Sequence, residues 1–322
     1  MSSPRTEPIA EPIAVDDRGR PLPLPAAGSP DWYRRALETL PDESRVSVDG
    51  ADIELLTWGI GDGPGMLLVH GAGAHADWWR PTAPQLAQAA GRVAAFSFSG
   101  TGGSDWRSSY TMDFHVDELL GAAEAAGLFA EGRKPLLVAH SFGCLPAMIA
   151  ADRHPGRFGG LVLIDLYLPP PDRIAAQSRE RKPRRYESLA EARERFILSP
   201  PQDCPYPFIV DFIALRTLRR VDGPDETYWT WCTDPAASVR VPHDEHRTRL
   251  GRLTLPLALI RGECSRLVDH EVDAHVRSVA PAGTLHVEIP DADHHVLLDR
   301  PLALVAALRT LIATHGRWKG DQ

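Results

Sequence analysis

The sequence predicts an α/β fold built on a mostly parallel sheet with helices on both of its faces. Two observations support this prediction. Short runs of consecutive apolar residues, typical of strands that are covered on both faces, recur along the chain. Longer segments with helical spacing of apolar residues stand between these runs, and a regular alternation of strand and helix produces parallel sheets.

Composition and charge narrow the functional classes. The chain has 322 residues, of which 43% are apolar and 24% are charged, as in ordinary globular proteins. The net charge of -8 does not indicate the excess of basic residues that nucleic-acid binding requires. No apolar run is long enough to span a membrane. The cysteines form no C-x-x-C pair and no apolar signal segment opens the sequence, so we expect reduced thiols and a cytoplasmic location. The cysteines are Cys144, Cys204, Cys232 and Cys264.

Residues 1–40 are predicted to form an N-terminal arm. Prolines recur through its first 30 residues among charged and small residues, which is typical of a flexible or surface-bound segment. Near its end, Trp32, Ala36 and Leu40 fall on one face of a short helix that would dock the arm. The sequence gives the arm no readable function.

A hairpin and a glycine-rich loop follow the arm. Segments 45–48 and 53–58 alternate in polarity around the turn pair Asp49-Gly50, which predicts two antiparallel strands. Residues 66–69 form a buried strand that leads into the loop 70–75. This loop lacks the lysine and serine or threonine of a phosphate-binding loop and the third glycine of a dinucleotide site, so nucleotide binding is disfavoured.

Helices and strands alternate through the next hundred residues. A helix is expected to open at Trp78 and to continue to Ala90, and a buried strand at 93–96 follows it. A helix of about 15 residues at 112–126 comes next. A further strand is predicted at 159–164, and each of these strands adds to the parallel sheet.

Ser141 stands where a strand changes directly into a helix. Leu136 to Val138 are consecutive apolar residues, and small residues with helical spacing follow the serine. Ala139 and Gly143 flank it in a variant of the G-x-S-x-G nucleophile elbow. A turn this sharp needs small neighbours, and the helix N-terminus directs free N–H groups at a developing oxyanion. The alternative for so short a pattern is a serine that only caps a helix.

Several segments, taken in order, make the chain resemble the α/β-hydrolase fold superfamily. They are LLVHGAGAHADWW, VAAFSFSGTGGSDW, LLVAHSFGC, LIRGE and IPDADHHVLLDRP, spread over about residues 45–165 and 255–315. The resemblance implies a mostly parallel eight-stranded sheet with helices on both faces and a helical cap. It implies a core at 41–167 and 252–322, with the cap inserted at 168–251.

The resemblance also implies roles for individual residues. Ser141 corresponds to the family's nucleophile, and the amides of Ala72 and Phe142 correspond to its oxyanion hole. The family's histidine follows the last strand and precedes an apolar stretch that ends in proline, which corresponds to His294. We expect the adjacent His295 to have a structural role, because it begins that apolar stretch.

The acidic residue departs from the usual position. Most members of the family carry an aspartate three positions after the glycine that ends the seventh strand, where this chain has Ser265. Asp165 ends the strand after the elbow helix, as the acid does in some α/β-hydrolases, and a buried carboxylate is costly unless it is paired. We assign the acid to Asp165 and expect its carboxylate about 2.6–3.2 Å from the His294 ring nitrogen that faces away from the serine. Glu263 and Asp269 are the alternatives.

The insertion at 168–251 is expected to form the helical cap. Its predicted helices are 174–181, 189–196 and 208–218. A basic run at 179–185 could attract an anionic substrate, with a solvated helix face as the alternative. Residues of the cap and of the loops near the serine are candidates for substrate binding, although the two tryptophans could equally pack within the cap. The candidates are His70, Gly71, His140, Trp229 and Trp231.

These assignments predict a serine hydrolase that cleaves a carboxylic ester, lactone or related acyl bond of a small to medium organic substrate through an acyl-enzyme. No cofactor is implied, and the group Asp291, Asp293, His294 and His295 lacks a second cluster to complete a metal site. Two alternatives stay open, a cofactor-free dioxygenase of the same fold and a non-catalytic ligand-binding protein. The expected partner is a small-molecule substrate without nucleic acid or membrane, and a homo-oligomer is left open.

Overall fold

The computed structural model describes residues 13–173, 182–224, 226–237, 239 and 241–314. The helix predicted at 174–181 lies outside the described residues. The strands are β1 (Asp42–Val48), β2 (Ala51–Trp58), β3 (Met66–Val69), β4 (Val93–Phe96), β5 (Leu136–His140), β6 (Gly160–Ile164), β7 (Leu218–Asp222), β8 (Thr227–Trp231), β9 (Leu257–Gly262) and β10 (Leu285–Ile289). The α-helices are α1 (Asp31–Glu38), α2 (Ala83–Ala90), α3 (Met112–Ala125), α4 (Cys144–Arg153), α5 (Leu189–Glu194), α6 (Pro207–Arg216), α7 (His243–Arg252), α8 (His270–Val279), α9 (Val296–Asp299) and α10 (Pro301–Thr314).

Eight strands form one sheet in the order β1-β2-β4-β3-β5-β6-β9-β10. Strand β2 is antiparallel to both of its neighbours, and the remaining pairs are parallel. The β1–β2 hairpin turns at Asp49-Gly50, where Val48 pairs with Ala51. The predicted α/β fold with a mostly parallel eight-stranded sheet is confirmed.

The core lies on both faces of this sheet, because successive strand residues point to opposite sides. In β5, Leu136 and Val138 pack in the layer that contains α2 and α10. Leu137 and Ala139 pack in the opposite layer, with α3, α4 and α8. Strands covered on both faces have no polar side, which explains the uninterrupted apolar runs of the sequence.

The carboxyl ends of β3, β5, β6, β9 and β10 meet at one edge of the sheet, since these strands are parallel. Ligands of open α/β sheets bind outside this edge. Gly262 ends β9 there, and a Cβ atom at this position would lie 2.5 Å from the carbonyl oxygen of Asp293. The close approach brings the loop after β10 over the ends of the central strands.

The insertion between β6 and β9 contains α5, α6, the two-stranded antiparallel sheet β7–β8 and α7. Helices α5 and α6 correspond to the segments predicted at 189–196 and 208–218. The expectation of a helical cap did not include the β7–β8 hairpin, whose second strand consists of β-branched and aromatic residues that favour strands. Helix α7 packs against α4 and α8 of the core.

The described part of the arm folds back on the insertion. The amide of Arg220 in β7 donates a hydrogen bond to the carbonyl oxygen of Gly19 at 2.8 Å. Gly19 has a φ of 76°, and a Cβ atom there would lie 2.4 Å from the carbonyl oxygen of Arg220, so this contact needs glycine. The predicted docking helix is α1, which buries Tyr33 and Ala36. The expected docking face was wrong at Leu40, which lies after the end of the helix and is 73% exposed.

A buried ionic cluster joins the arm, the core and the insertion. Asp77 lies in a 3-10 turn of the core, and its Oδ2 is 3.0 Å from Nε of Arg216 in α6 and 3.3 Å from Nη1 of Arg20 in the arm. Burial opposes ionisation of Asp77, yet Arg216 beside it holds the pKa of this carboxyl well below its usual range. Arg216 also contacts Asp16 of the arm at 3.2 Å. Buried ion pairs therefore connect the arm, the core and the insertion around Asp77 and Arg216.

Among the helices of the described residues, none combines the length and the apolar character needed to cross a bilayer.

Candidate active site

Ser141 sits in a strained turn between β5 and α4. Its φ of 53° lies in the left-handed region, which is uncommon for a residue other than glycine and typical of functional turns. A Cβ atom at Gly143 would come 2.4 Å from the carbonyl oxygen of His70, so the position after the turn has no room for a larger residue. The turn presents the Ser141 side chain, which is half-buried, at the carboxyl edge of the sheet.

Three side chains from three different strand ends form a continuous hydrogen-bonded chain. His294 Nε2 lies 2.9 Å from Ser141 Oγ, and His294 Nδ1 lies 2.7 Å from Asp165 Oδ2. The Asp165 distance is within the range expected from the sequence, and the ring nitrogen is the one that faces away from the serine. With Asp165 as an acceptor, Nδ1 carries the ring proton and Nε2 accepts from the Ser141 hydroxyl.

Asp165 is fully buried, and neighbouring donors satisfy its carboxylate. The amide of Gly262 donates to Oδ1 at 3.0 Å, and the hydroxyl of Ser265 donates to Oδ2 at 2.6 Å. Ser265 Oγ in turn accepts from the amide of Val268 at 3.0 Å. Sequence reasoning noted Ser265 only as the absence of an aspartate and missed its role as a donor to the acid.

The alternative acids have other partners. Asp269 caps α8 by accepting the amide hydrogen bond of Val272 at 3.1 Å, and it forms an ion pair with Arg173. Glu263 accepts from the amide of Asp291 at 2.8 Å. Neither carboxylate is bonded to a histidine of the described chain.

Hydrogen bonds with Asp293, Asp299 and Gln202 hold the loop that carries His294 in place. Asp293 Oδ1 accepts from the His294 amide at 2.8 Å, and Asp299 Oδ2 accepts from the Asp293 amide at 2.8 Å. Gln202 of the insertion donates to Asp299 at 2.9 Å and accepts from the amide of His295 at 2.8 Å. Burial raises the pKa of Asp299 to about 6. No sequence pattern identified Gln202, because its partners lie more than ninety positions away.

The loop after β3 packs against the serine. A Cβ atom at Gly71 would lie 3.1 Å from both Ser141 Cβ and His140 Nδ1, so glycine permits this approach. Ala72, the next residue, is exposed. Within the described residues, the amides of Ala72 and Phe142 donate to no acceptor.

The imidazoles of His70 and His140 bond to the backbone. His70 Nδ1 donates to the carbonyl oxygen of Gly71 at 2.8 Å, and Nε2 accepts from the amide of Phe98 at 3.0 Å. Burial lowers the pKa of His70 to about 3. His140 Nε2 donates to the carbonyl oxygen of His294 at 2.9 Å, and burial lowers its pKa as well. Both rings are almost fully buried, and each of them hydrogen-bonds to a loop beside the serine.

Three imidazoles are close enough to hold a metal ion. His140, His294 and His295 each offer a ring nitrogen, and these atoms lie within 4.8 Å of one another. Ser141 and Asp165 already occupy both nitrogens of His294. A metal ion here would compete with the Ser141–His294 hydrogen bond, so this cluster does not suit a resident metal cofactor.

A cavity of about 620 Å³ opens beside the loop after β3. Its volume is typical of sites for small organic ligands. Ala72, Gly73 and Trp78 line its core side, and Trp231 lies on the side of the insertion. Trp229, the other candidate tryptophan, does not line the cavity and is buried in an apolar cluster of the insertion, against which Trp231 also packs.

Known proteins resemble this chain in sequence and in fold. The pattern of the Alpha/beta hydrolase family matches residues 66–308. Esterase Rv0045c of Mycobacterium tuberculosis is 27% identical over 294 residues, which cover 85% of this chain and 90% of the esterase. Methylesterase 9 of Arabidopsis thaliana is 33% identical over 106 residues, which cover 32% of this chain and only 40% of the methylesterase. The thioesterase domain from the curacin biosynthetic pathway superposes with a TM-score of 0.68 at 21% identity, covering 85% of this chain and 99% of the domain.

The similarity to the thioesterase domain shows a shared fold. The family pattern covers well over half of the chain, and it spans the loop after β3, the Ser141 turn and the His294 loop. The chain therefore belongs to the Alpha/beta hydrolase family.

Proposed function

We propose that this protein is a serine hydrolase that cleaves a carboxylic ester, a lactone or a related acyl bond of a small to medium substrate through an acyl-enzyme. The observation that supports it is the hydrogen-bonded chain from Ser141 through His294 to Asp165, at 2.9 and 2.7 Å. Nucleophile, base and orienting acid in this order are the arrangement that activates a serine for acyl transfer. The esterase names of two relatives agree with this chemistry.

Acylation uses all three side chains. Ser141 Oγ attacks the carbonyl carbon while its proton passes to His294 Nε2, and Asp165 stabilises the charged imidazole through Nδ1. The free amides of Ala72 and Phe142 donate hydrogen bonds to the oxyanion, where one such donor contributes about a hundredfold to a thousandfold in rate. His294 then gives its proton to the leaving alcohol oxygen, and the carbon–oxygen bond to that alcohol breaks.

Deacylation repeats these steps with water as the nucleophile. His294 Nε2 takes a proton from a water molecule as its oxygen attacks the acyl carbon. The bond between this carbon and Ser141 Oγ breaks, and the proton returns from His294 to the serine. The products are a carboxylic acid and the free enzyme.

A panel of p-nitrophenyl esters of increasing acyl length, aromatic esters and lactones tests the proposal, together with a fluorophosphonate probe. We expect turnover of at least one class, stoichiometric labelling of Ser141 and loss of both in Ser141→Ala. Turnover that persists in purified Ser141→Ala would overturn the proposal. An unlabelled serine with oxygen consumption on a hydroxylated heteroaromatic would favour the cofactor-free dioxygenase, and a ligand bound for hours without change would favour a binding protein.

A further inference from the structure

We propose that the substrate carries a carboxylate at the end remote from the acyl bond that is cleaved, and that cations of the insertion bind this carboxylate. The inference rests on the proposed ester hydrolysis and narrows it to one substrate class. The cavity is lined by positively charged side chains, whereas the whole protein has a net negative charge.

The charged side chains that line the cavity among the described residues are all basic. They are Lys182, Arg184 and Arg195, with no aspartate or glutamate beside them. The whole chain has 43 acidic and 35 basic residues. A concave surface of one sign concentrates ligands of the opposite sign, so this cavity favours anions in a protein of net negative charge.

These three cations are unpaired within the described residues, whereas their sequence neighbours are neutralised. Arg185 forms an ion pair with Glu226, and Arg193 Nη2 lies 2.7 Å from Asp211 Oδ2. Neither of these two paired arginines lines the cavity. The basic side chains that line the cavity are thus the ones without an ion-pair partner in the described chain.

Nearby acids do not cancel this charge. Glu187 and Glu194 are adjacent in sequence to lining residues, but they do not line the cavity. Asp234 is buried, and its Oδ2 accepts from the hydroxyl of Tyr110 at 2.5 Å.

The basic residues of the lining belong to the insertion, whereas the core contributes Ala72, from the loop that packs against Ser141. The apolar surfaces of Trp78, Phe196 and Trp231 also line the space. A substrate with its carbonyl at the Ala72 amide therefore has an apolar body in the cavity and its far end among the cations.

A carboxylate suits this far end. Arginine guanidinium groups recognise carboxylates in a bidentate geometry, and hydrogen bonds to charged groups contribute about 1.5–3 kcal/mol. The substrate class is accordingly a monoester of a dicarboxylic acid, or an ester of an alcohol that carries a carboxylate.

The test compares two p-nitrophenyl esters of the same chain length, the monoester of suberic acid and the octanoate ester. We expect kcat/KM to be about tenfold or more higher for the suberate monoester, because each 1.4 kcal/mol corresponds to a factor of ten. Arg184→Gln and Arg195→Gln should each reduce this preference, mainly by raising KM for the suberate monoester. The matched controls Arg185→Gln and Arg193→Gln should keep the preference.

Binding separates this inference from the proposed function. Ser141→Ala should bind the suberate monoester more tightly than the octanoate ester in calorimetry, and 0.5 M NaCl should reduce the difference through screening. Equal affinities, or an equal loss of preference in the control variants, would overturn the inference. Failure of the wild type to hydrolyse any ester would count against the proposed function alone, since the affinities are measured without turnover.

Discussion

Ser265 donates its hydroxyl to the same oxygen of Asp165 that lies 2.7 Å from the His294 ring, at a distance of 2.6 Å. Ser265 stands where most α/β-hydrolases carry the acid. In this chain the carboxylate comes from the end of β6, and the usual acid position supplies a donor that orients it. Ser265 thus contacts the carboxylate that holds the His294 ring.

Replacing Asp165 tests whether it orients the histidine. Asp165→Asn should preserve the fold and reduce turnover by about four orders of magnitude, because an amide favours the wrong imidazole tautomer. Asp269→Asn and Glu263→Gln serve as controls and should retain most of the activity. Ester kinetics with each purified variant would measure this, and the reverse ranking would place the acid near β9.

The hydrogen bond between Ser265 and Asp165 predicts a rescue. The double variant Asp165→Ser, Ser265→Asp should recover at least about tenfold of the turnover that Asp165→Ser alone loses, since a carboxylate at 265 starts from the same pocket beside His294. The single variants and the double variant need to be compared at one pH. No recovery in a folded double variant would show that the backbone at 265 cannot aim a carboxylate at the ring.

The two tryptophans of β8 should respond differently to truncation. Trp231 lines the cavity, so Trp231→Ala should change relative kcat/KM among acyl lengths. Trp229 is buried in the apolar cluster with Leu189 and Leu218, and Trp229→Ala should instead reduce the free energy of unfolding by about 3–5 kcal/mol. Urea unfolding and a substrate series on both variants check this. The same change in substrate preference and in stability for both variants would contradict these different roles of Trp231 and Trp229.

Asp299 predicts a pH-dependent change in stability. Its pKa is raised from 3.8 to about 6 in the folded protein, chiefly by burial, so the folded state prefers the protonated carboxyl. Its contribution to the free energy of unfolding is fully present below pH 4 and is lost as the pH rises through 6. Asp299→Asn should therefore be more stable than wild type at pH 7.5, and this difference should shrink at pH 4.5.

Urea unfolding at the two pH values measures this difference. Asp291→Asn in the same loop is an exposed control and should change stability little at either pH. A lower stability of Asp299→Asn at pH 7.5 would show that its hydrogen bonds from Asp293 and Gln202 need the charge.

The buried ionic cluster should be sensitive to the loss of one partner. Arg216→Met leaves the fully buried Asp77 without its main counterion, and it should cost about 3–5 kcal/mol of unfolding free energy. Arg185→Met breaks an exposed pair and should cost no more than about 1 kcal/mol. Chemical denaturation distinguishes these values. Equal and small effects would mean that other arginines near Asp77 replace Arg216.

The sequence predicted what depends on local patterns. Apolar runs identified the strands of the sheet, because strands covered on both faces have no polar side. The small residues around Ser141 identified its turn, and the order of the motifs placed His294 at the same edge. The contact of Asp165 with His294 was also expected, although the catalytic roles of these residues stay predictions.

Features built from distant residues were not predictable. Strand β7 is mixed in polarity, and it becomes a strand because β8 and the arm pair with it. The contacts of Gln202 and Ser265 depend on partners that only the fold brings near. The arm had no readable function, since each of its buried partners belongs to a different part of the chain.

The contact between Asp16 and Arg216 spans 200 positions of sequence. During synthesis the arm emerges first, but the guanidinium that pairs with it follows only after strands β1 to β6 have been made. Contacts between such distant positions form slowly, because loop closure precedes any gain from them. The arm therefore waits in an unfixed state during synthesis, because its buried ion pair cannot form before residue 216 has been made.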